Sequence, residues 1–541
     1  MSSFSRLNHR LTHNHFLAGL VIFLISLIIF SYLQFYNGIT DPDAFYHVKI
    51  TQLMSQQGVV TDFPWMQFST WKDGFVDHHF LYHFLMIPFV HFFPPLIGGK
   101  IFQVLLCSLA LLAFFWLLKE LKIRAAFWFS LLLFLAPIFL FRVDLVKAQP
   151  LSLIILFIGL AFIVKRKYFL LFLASFVYVL SYGGWILLPL CAVLMAAVQS
   201  LDSAGEKITW QKGRRWQSGR KFLSLSVRMF FSRKNLALMF SSGLGALAGL
   251  IINPYFPQNI NFYWVHIVQI GLVNYQGKFS VGAEWYPYSF FELLQRAWLI
   301  LALCLIAVPV WLNYFKKATM ESKFFGLLFV LILLLTFKSK RNIEYLIPLG
   351  IIFAAAAINV FSQPGRPADD FLRIKKFLAK LVPPSGWPKK MFFASLLIII
   401  AVSFASSLKY SKWMIQASGF NYAYLKGAAD FIKSHSRPGE IVFNGNWSDF
   451  PALFYHNDSN YYIIGLDPTF MYLYDSGLQR KMIDITRGKR YEEAYEIIKN
   501  ELRASYIQAT AKDQKFKSIL DNNFKFKKVY EDSDGAVYEV L

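Results

Sequence analysis

Cysteine is close to absent from this chain. The three present, Cys107, Cys191 and Cys304, each lie inside a long apolar run, so they offer neither a disulfide framework nor metal-ligand spacing. Acidic residues are scarce as well. Against 55 Lys and Arg stand 32 Asp and Glu in 541 residues, a formal net charge of +23. Such a balance would suit nucleic acid, but the basic residues cluster beside apolar runs. Membrane orientation and anionic lipid account for them there, and no nucleic-acid partner is expected. There is no internal repeat and no low-complexity tract, which sets aside solenoids and linker-type chains. A cleavable leader is not expected either. The first apolar run is too long for a signal h-region and lacks a small-residue cleavage site, so it reads as an anchor.

What is abundant is apolar sequence. Hydrophobic residues make up 56% of the chain, including 57 Phe and 14 Trp, against roughly 45–50% in soluble domains. The excess falls in long runs, the mark of a polytopic α-helical membrane protein. About 11 transmembrane helices are expected: 16–36, 97–118, 125–141, 151–164, a pair flanking Ser181-Tyr-Gly-Gly-Trp185, then 236–252, 297–312, 324–337, 343–360 and 391–408. The segment 80–91 is apolar but short, and reads as a helix lying at the interface. Basic clusters fix the orientation. Arg6 and Arg10, the Lys119, Lys122 and Arg124 group, 165–167, the stretch 200–234 with Arg214, Arg215, Arg220 and Lys221, Lys316 and Lys317, and 362–390 all fall on one side, which places the N-terminus in the cytoplasm. Outside lie the loops 37–96, 142–150 and 253–293. One cluster, Lys338, Lys340 and Arg341, breaks the rule by falling outside; either the count is off by one or the cluster binds an anion such as a lipid phosphate. From about 409 the pattern turns soluble. Strands at 440–444, 461–464 and 504–508, helices at 424–435 and 491–503, and a closing hairpin at 524–530 and 536–540 give a C-terminal α/β domain outside the membrane. The domains are thus 1–408 and 409–541, in a plasma or inner membrane; an endoplasmic reticulum membrane would look alike.

The chemistry collects on the outer side. Asp41, Asp43 and His47 follow the first span directly, at a membrane surface where carboxylates need a cation opposite them. Asp41 and Pro42 equally fit a helix cap. Asp77, His78, His79 and His83 lie later in the same loop; His79 and His83 have zinc-like i, i+4 spacing and also suit an interfacial helix. Asp144 and Lys147 occupy the second outer loop, Glu284 the fourth, Lys340 and Arg341 the top of a span, and Trp447 and Asp449 the outer domain. Asp144 can also cap the fourth span, Glu284 can be a solvated loop charge, Lys340 and Arg341 can anchor lipid headgroups, and Trp447 can pack beneath the domain. Oxygen ligands from separate loops suit Mg²⁺ or Mn²⁺, which favour carboxylates plus substrate phosphates. Such an ion, with Arg341, would stabilise a leaving lipid phosphate.

With these residues in view, the chain resembles GT-C membrane glycosyltransferases, and is most similar to the catalytic subunit of oligosaccharyltransferases. Asp43-Ala-Phe-Tyr-His-Val-Lys-Ile-Thr51 resembles the first-loop segment Asp-Pro-Trp-Phe-Asn-Tyr-Arg-Ala-Thr of that family and implies Asp43 as a metal ligand. Arg142-Val-Asp144 falls where a second acidic motif follows the third span. Ser181-Tyr-Gly-Gly-Trp185 is similar to a Trp-Gly-Gly-Tyr turn, and Ser280-Val-Gly-Ala-Glu284-Trp-Tyr-Pro287 to a flexible loop that brings Glu284 near acceptor and metal. Arg341 is the counterpart of an arginine on the donor phosphate, and Asn446-Trp447-Ser448-Asp449-Phe450 resembles the Trp-Trp-Asp-Tyr-Gly motif that holds a sequon hydroxyl. Two departures stand out. Val146 and Lys147 follow Asp144 where a second carboxylate belongs, so the cation takes over part of the charge neutralisation or a ligand is missing. Ser448 replaces the second tryptophan, and Pro451 follows the aromatic.

The resemblance implies an inverting transferase that moves a sugar or oligosaccharide from a polyprenyl-phosphate-linked donor to an acceptor on the outer side. Asp43 and Glu284 are its expected catalytic residues, and Asp43, Asp144 and Glu284 its metal ligands. Lys147, Lys340 and Arg341 are expected on the donor phosphate, with Trp447 and Asp449 on the acceptor. The acceptor is open among protein, lipid and glycan, and membrane lipids are the other partner. The alternatives are transfer to protein asparagine, or a transporter or scaffold without catalysis. Few ionisable residues fall mid-span, which argues against transport.

Overall fold

The computed structural model describes residues 14–207, 215–315, 318–359 and 386–541. Arg6, Arg10, Arg214, Lys316, Lys317, the side chains of Arg215, Arg220 and Lys221, and most of the basic loop 362–390 lie outside the described residues.

Where no water reaches the backbone, its polar groups must bond within the segment, so long apolar runs become helices. α1 (His15–Gln34) opens the bundle; α2 (Asp43–Gln57), α3 (Phe80–Phe92) and α4 (Pro95–Glu120) follow. α5 (Ala126–Leu131) and α6 (Pro137–Asp144) are separated by a short 3-10 turn, and the two limbs are bent by 82°. α7 (Gln149–Lys165), α8 (Tyr168–Ser181), α9 (Leu187–Lys207), α10 (Arg215–Phe230) and α11 (Arg233–Ile251) come next. The short α12 (Gln258–Trp264) runs into a π-helical segment at Val265–Val273. The bundle closes with α13 (Phe290–Asn313), α14 (Met320–Lys338), α15 (Ile343–Asn359) and α16 (Trp387–Ala417).

Among the described residues, eight helices are long and apolar enough to cross a membrane (α1, α4, α9, α11 and α13 to α16), or nine if the bent pair is one span. The chain is an integral membrane protein. The expected eleven spans included α7 and α8, which are apolar but only 17 and 14 residues long. The expected third span is not one rod. Pro137 holds Ala136 at φ −112°, ψ 88°, outside the helical region, and the chain turns there. The outer loop 253–293 is largely helical, through α12, the π-helical segment and two 3-10 turns. α16 runs past residue 408 to Ala417.

Close helix contact rests on small residues. A Cβ on Gly245 of α11 would sit 2.2 Å from the Phe172 carbonyl oxygen of α8, and one on Gly249 would sit 2.8 Å from that of Phe176. The Gly-x-x-x-Gly spacing therefore lets the two backbones touch. α16 has the opposite character: Leu397, Ile398, Ile399 and Val402 are exposed, as lipid-facing side chains would be.

The C-terminal domain defines what is called the outer side below. α17 (Lys426–His435), β1 (Ile441–Asn444), α18 (Phe450–His456), β2 (Tyr461–Tyr462), α19 (Thr469–Tyr474), α20 (Ser476–Thr486), β3 (Ala504–Thr510), α21 (Gln514–Asp521), β4 (Phe526–Glu531) and β5 (Gly535–Val540) build one five-stranded sheet in the order β2-β1-β3-β5-β4. β2, β1 and β3 are parallel, and β5 runs antiparallel to both β3 and β4. Phe443, Ile507, Phe516 and Tyr538 fill its core.

The domain is stitched to the bundle at the site. Ile39 and Phe420 exchange two backbone hydrogen bonds at 2.8 and 2.7 Å. Residues 65–67 pair with the free side of β2, where the Tyr462 N–H donates to the Trp65 carbonyl (2.8 Å) and the Gln67 N–H to that of Tyr462 (3.0 Å). Lys49 of α2 pairs with Asp458 at 2.8 Å. α2 is thereby fixed between membrane bundle and sheet.

Candidate active site

The site starts where α2 starts. The Asp43 N–H donates to Asp41 Oδ1 at 2.9 Å, so Asp41 does cap the helix. Its other oxygen and Asp43 Oδ2 both accept from Lys147 Nζ, at 3.0 and 2.7 Å. Lys147 is buried in the short link between α6 and α7. Burial opposes its charge, but Asp41 and Asp43 overcome this and raise its pKa above the ordinary lysine value. Burial pushes Asp43 up to about 6 against the pull of Lys147.

A second network approaches from the other side. Glu284 stands on a 3-10 turn, Ala283–Trp285. The turn is held by the Ser339 hydroxyl donating to the Glu284 carbonyl (2.8 Å), the Lys340 N–H donating to that of Tyr286 (2.9 Å), and Asn274 Nδ2 donating to that of Trp285 (2.8 Å). Arg142 lies 3.6 Å from Glu284 and 3.2 Å from Glu344. Arg341 donates twice to the Tyr182 hydroxyl, at 3.2 and 2.8 Å, and lies over the Trp285 ring. Burial would raise Glu284, but Lys147, Arg142 and Arg341 together hold it down at about 2. Tyr182 belongs to the Ser181–Trp185 turn. Its neighbour Gly183 is required by packing, because a Cβ there would meet His266 Nε2 at 2.6 Å. The cations that broke the charge rule all have partners here. Lys338 donates to the Leu272 carbonyl, Lys340 bonds Glu292 at 2.9 Å, and Arg341 holds Tyr182.

Two cavities meet at this point. The smaller, about 290 Å³, is lined by Asp43, His47, His78, His79, Lys147 and Arg341 from the bundle side and by Trp447, Ser448, Asp467 and Phe470 from the sheet domain. The larger, about 780 Å³, is lined by Arg142, Arg296, Lys340 and Lys512 with Glu292 and Asp534. Asp41, Pro42, Ala283 and Glu284 line both, and so form a common wall. The larger cavity lies at the outer ends of α13 and α16, where Arg296 Nη1 reaches Met414 Sδ at 4.0 Å.

Most residues expected at the site from sequence are thus brought together: Asp41, Asp43, His47, His78, His79, Lys147, Glu284, Arg341 and Trp447 in the smaller cavity, and Lys340 in the larger. Three are not. Asp144 ends α6 turned into the bundle, fully buried with both carboxylate oxygens unpartnered, and lines neither cavity. Asp449 is buried beside Tyr424, whose hydroxyl donates to it at 3.2 Å, and also lines neither. Asp77 is buried behind the cavity, bonded to His83. The zinc-like and interfacial readings of the histidines both give way to this burial: each ring nitrogen of His83 is engaged, by Asp77 and by His47, which leaves no lone pair for a metal. His266, Gln149, Trp71, Asp467 and Phe470 were not anticipated. None carries a local signal, since each reaches the site by tertiary packing alone.

The divalent-ion expectation can be tested on this donor set. Asp144 does not join Asp43 and Glu284. Asp41 and Asp43 already face an ammonium, and Glu284 faces a guanidinium. Among the described residues no group of three or more His, Cys, Asp or Glu side chains has the arrangement to hold a metal. The residues do not fit the ion as expected, and the chemistry below uses no metal-dependent step.

No family model matches the chain, and no curated protein matches it in sequence. Solved structures do match it in fold. The oligosaccharyltransferase of Archaeoglobus fulgidus superposes with a TM-score of 0.61 at 12% identity, covering 97% of this chain and 74% of that one. The oligosaccharyltransferase AglB from Archaeoglobus fulgidus, in complex with an inhibitory peptide and a dolichol-phosphate, gives 0.60 at 11% identity, with the same coverage. ArnT from Cupriavidus metallidurans bound to undecaprenyl phosphate gives 0.54 at 14% identity, covering 96% of this chain and 98% of that one. The likeness at these identities is one of fold.

Proposed function

We propose that this protein transfers a glycosyl unit from a polyprenyl-phosphate-linked donor to an acceptor at the outer membrane surface. The observation that carries the proposal is the pair of cavities meeting at a wall that holds Asp41 and Glu284, one with Arg142, Arg296, Lys340 and Lys512 set among carboxylates next to lipid-facing helices, the other lined by aromatic, histidine and carboxylate side chains and roofed by the outer domain. In this reading the polyprenyl chain lies against α13 and α16, and its phosphate sits in the larger cavity beside Arg142, Arg296 and Lys340. A phosphate needs charge-assisted donors, and a guanidinium supplies them in pairs. The anomeric carbon reaches the common wall. The acceptor nucleophile comes from the smaller cavity, oriented by Asp43 and Glu284. As the new bond to the anomeric carbon forms, the bond to the phosphate oxygen breaks and its electron pair leaves with the phosphate. The cations beside it stabilise the growing charge. Lys147 keeps the Asp41–Asp43 pair from repelling that charge. Of the three cations expected at the donor phosphate, only Lys340 lines the larger cavity, and Lys147 and Arg341 line the smaller one. Transfer to protein asparagine draws less support, because Asp449, the expected sequon contact, is tied up with Tyr424.

The test is binding and turnover by the full chain in nanodiscs. Undecaprenyl phosphate should bind saturably and undecaprenol much more weakly, and Arg142→Ala should remove the difference. A panel of undecaprenyl-phosphate hexoses and pentoses should yield free undecaprenyl phosphate with at least one member. Equal binding of the phosphate and the alcohol would refute the donor site.

A further inference from the structure

We propose that His47 takes the acceptor's proton, backed by a buried relay through His83 to Asp77. The inference rests on the transferase reading and adds the proton acceptor it lacks.

The candidates at the smaller cavity are few. Asp43 is committed to Lys147 at 2.7 Å, and Glu284 faces the Arg142 guanidinium. Glu284 is held low by the cations around it and so is a poor proton acceptor, and Asp43 Oδ2 is occupied by the Lys147 ammonium. Four histidines line the cavity: His47, His78, His79 and His266. Among the described residues only His47 connects to a carboxylate. His47 Nδ1 and His83 Nε2 are 2.7 Å apart, as are His83 Nδ1 and Asp77 Oδ2. The other Asp77 oxygen accepts the His79 backbone N–H at 3.0 Å, which fixes the carboxylate. His83 is 0% exposed, and Asp77 and His47 are each 3% exposed. His47 alone of the three faces the cavity.

With Asp77 ionised and His83 neutral, the order of the bonds fixes the protons. An ionised Asp77 only accepts, so His83 donates from Nδ1. His83 Nε2 is then a bare acceptor, and His47 must donate to it from Nδ1. The remaining nitrogen, His47 Nε2, therefore carries a lone pair. His47 lies one helical turn after Asp43 on α2, and both line the same cavity. Burial keeps His47 neutral, with His83, Lys147 and His78 opposing its charge; His79, Tyr46 and Tyr82 pack on its ring. In the reaction the acceptor O–H bond breaks as its oxygen bonds the anomeric carbon. The proton passes to His47 Nε2, and the resulting positive charge is offset through His83 by Asp77.

Two measurements decide it. The first is ¹⁵N NMR of the full chain in nanodiscs, labelled at its 11 histidines, with His47→Gln for assignment. His47 should carry its proton on Nδ1 with a bare Nε2 at pH 7. The second is turnover of an undecaprenyl-phosphate sugar with methanol as acceptor. His47→Ala should lower kcat by roughly 10²- to 10⁴-fold with KM for the donor unchanged, and added imidazole should restore part of the rate. Asp77→Asn should move the acid limb of the pH profile to lower pH, because the imidazolium loses its counter-charge. A relay that merely braces α2 against α3 would give neither rescue nor shift. A proton on His47 Nε2, or active wild type with no rescue of His47→Ala, overturns the relay and leaves the transferase intact. A wild type that turns over no lipid-linked sugar overturns both.

Discussion

Lys147→Met is the perturbation that reaches furthest into this site. Methionine keeps the length and apolar stem of the side chain and removes only the ammonium. The two contacts it deletes, at 2.7 and 3.0 Å, join the buried ammonium to the part-exposed carboxylates of Asp43 and Asp41. Breaking a fully buried pair by removing one partner typically costs about 3–5 kcal/mol, because the other charge is left uncompensated; carboxylates that keep some contact with water put the cost here at about 1–3 kcal/mol. That is roughly a 10- to 10²-fold change in the unfolding equilibrium at neutral pH. The cost has a pH signature. Asp43 sits at about 6 in the native protein, raised by burial even with Lys147 beside it. Without Lys147 its folded pKa rises further above the unfolded value, so the folded state binds a proton more tightly. The deficit is then complete above the new folded pKa and fades as pH falls towards the unfolded value near 4. Unfolding of wild type and variant in nanodiscs, followed by tryptophan fluorescence at pH 8 and pH 5, measures this directly. The variant should be much less stable at pH 8 and close to wild type at pH 5. The same deficit at both pH values would mean that packing, not uncompensated carboxylate, is what was lost, and the electrostatic account of the wall would be wrong.

Lys147→Ala opens a space bounded by Asp41, Asp43 and Glu284, so millimolar Mg²⁺ should raise the unfolding temperature of that variant by several degrees and leave wild type unmoved; equal response would contradict the view that Lys147 stands in for an ion. Asp449 is raised to about 7 by burial, so its ionisation destabilises the fold increasingly from pH 4 to 7. Asp449→Asn should therefore stabilise at pH 8 by up to about 4 kcal/mol, with the gain vanishing near pH 4, as pH-resolved thermal unfolding would read. Gly245→Ala puts a methyl group 2.2 Å from the Phe172 carbonyl oxygen. It should destabilise by about 1–3 kcal/mol, and a neutral result would contradict the α8–α11 contact.

What was legible in the sequence was what local pattern encodes. The apolar runs gave most of the helices, and period-two alternation gave the strands, with β1 and β5 within a residue of their observed starts. Proline at 137 was as plain as the run containing it, but run length alone reads a straight rod. The short helices α18 and α19 were missed because six or seven residues carry little periodicity. At the site, Asp43, Glu284 and Arg341 stood out as charges beside a membrane. Asp144 did too, but sequence cannot tell which way a side chain leaves the last turn of α6, and three residues on it is Lys147 that faces the carboxylates. His79 and His83 were noticed for their spacing. The partner that gives His83 its role, His47, is 36 residues away. Arg142 and Glu344 are 202 apart, and no local rule joins them.

β2 is two residues long, and its free side is closed by residues 65–67 from the loop between α1 and α4. Most of the bundle lies between those residues and the sheet they complete. The edge of the outer domain is therefore closed only when two segments far apart in the chain have been delivered to the same side. A cut within α16 would release a domain parted from its own border, with an open row of backbone donors and acceptors ready to capture another copy.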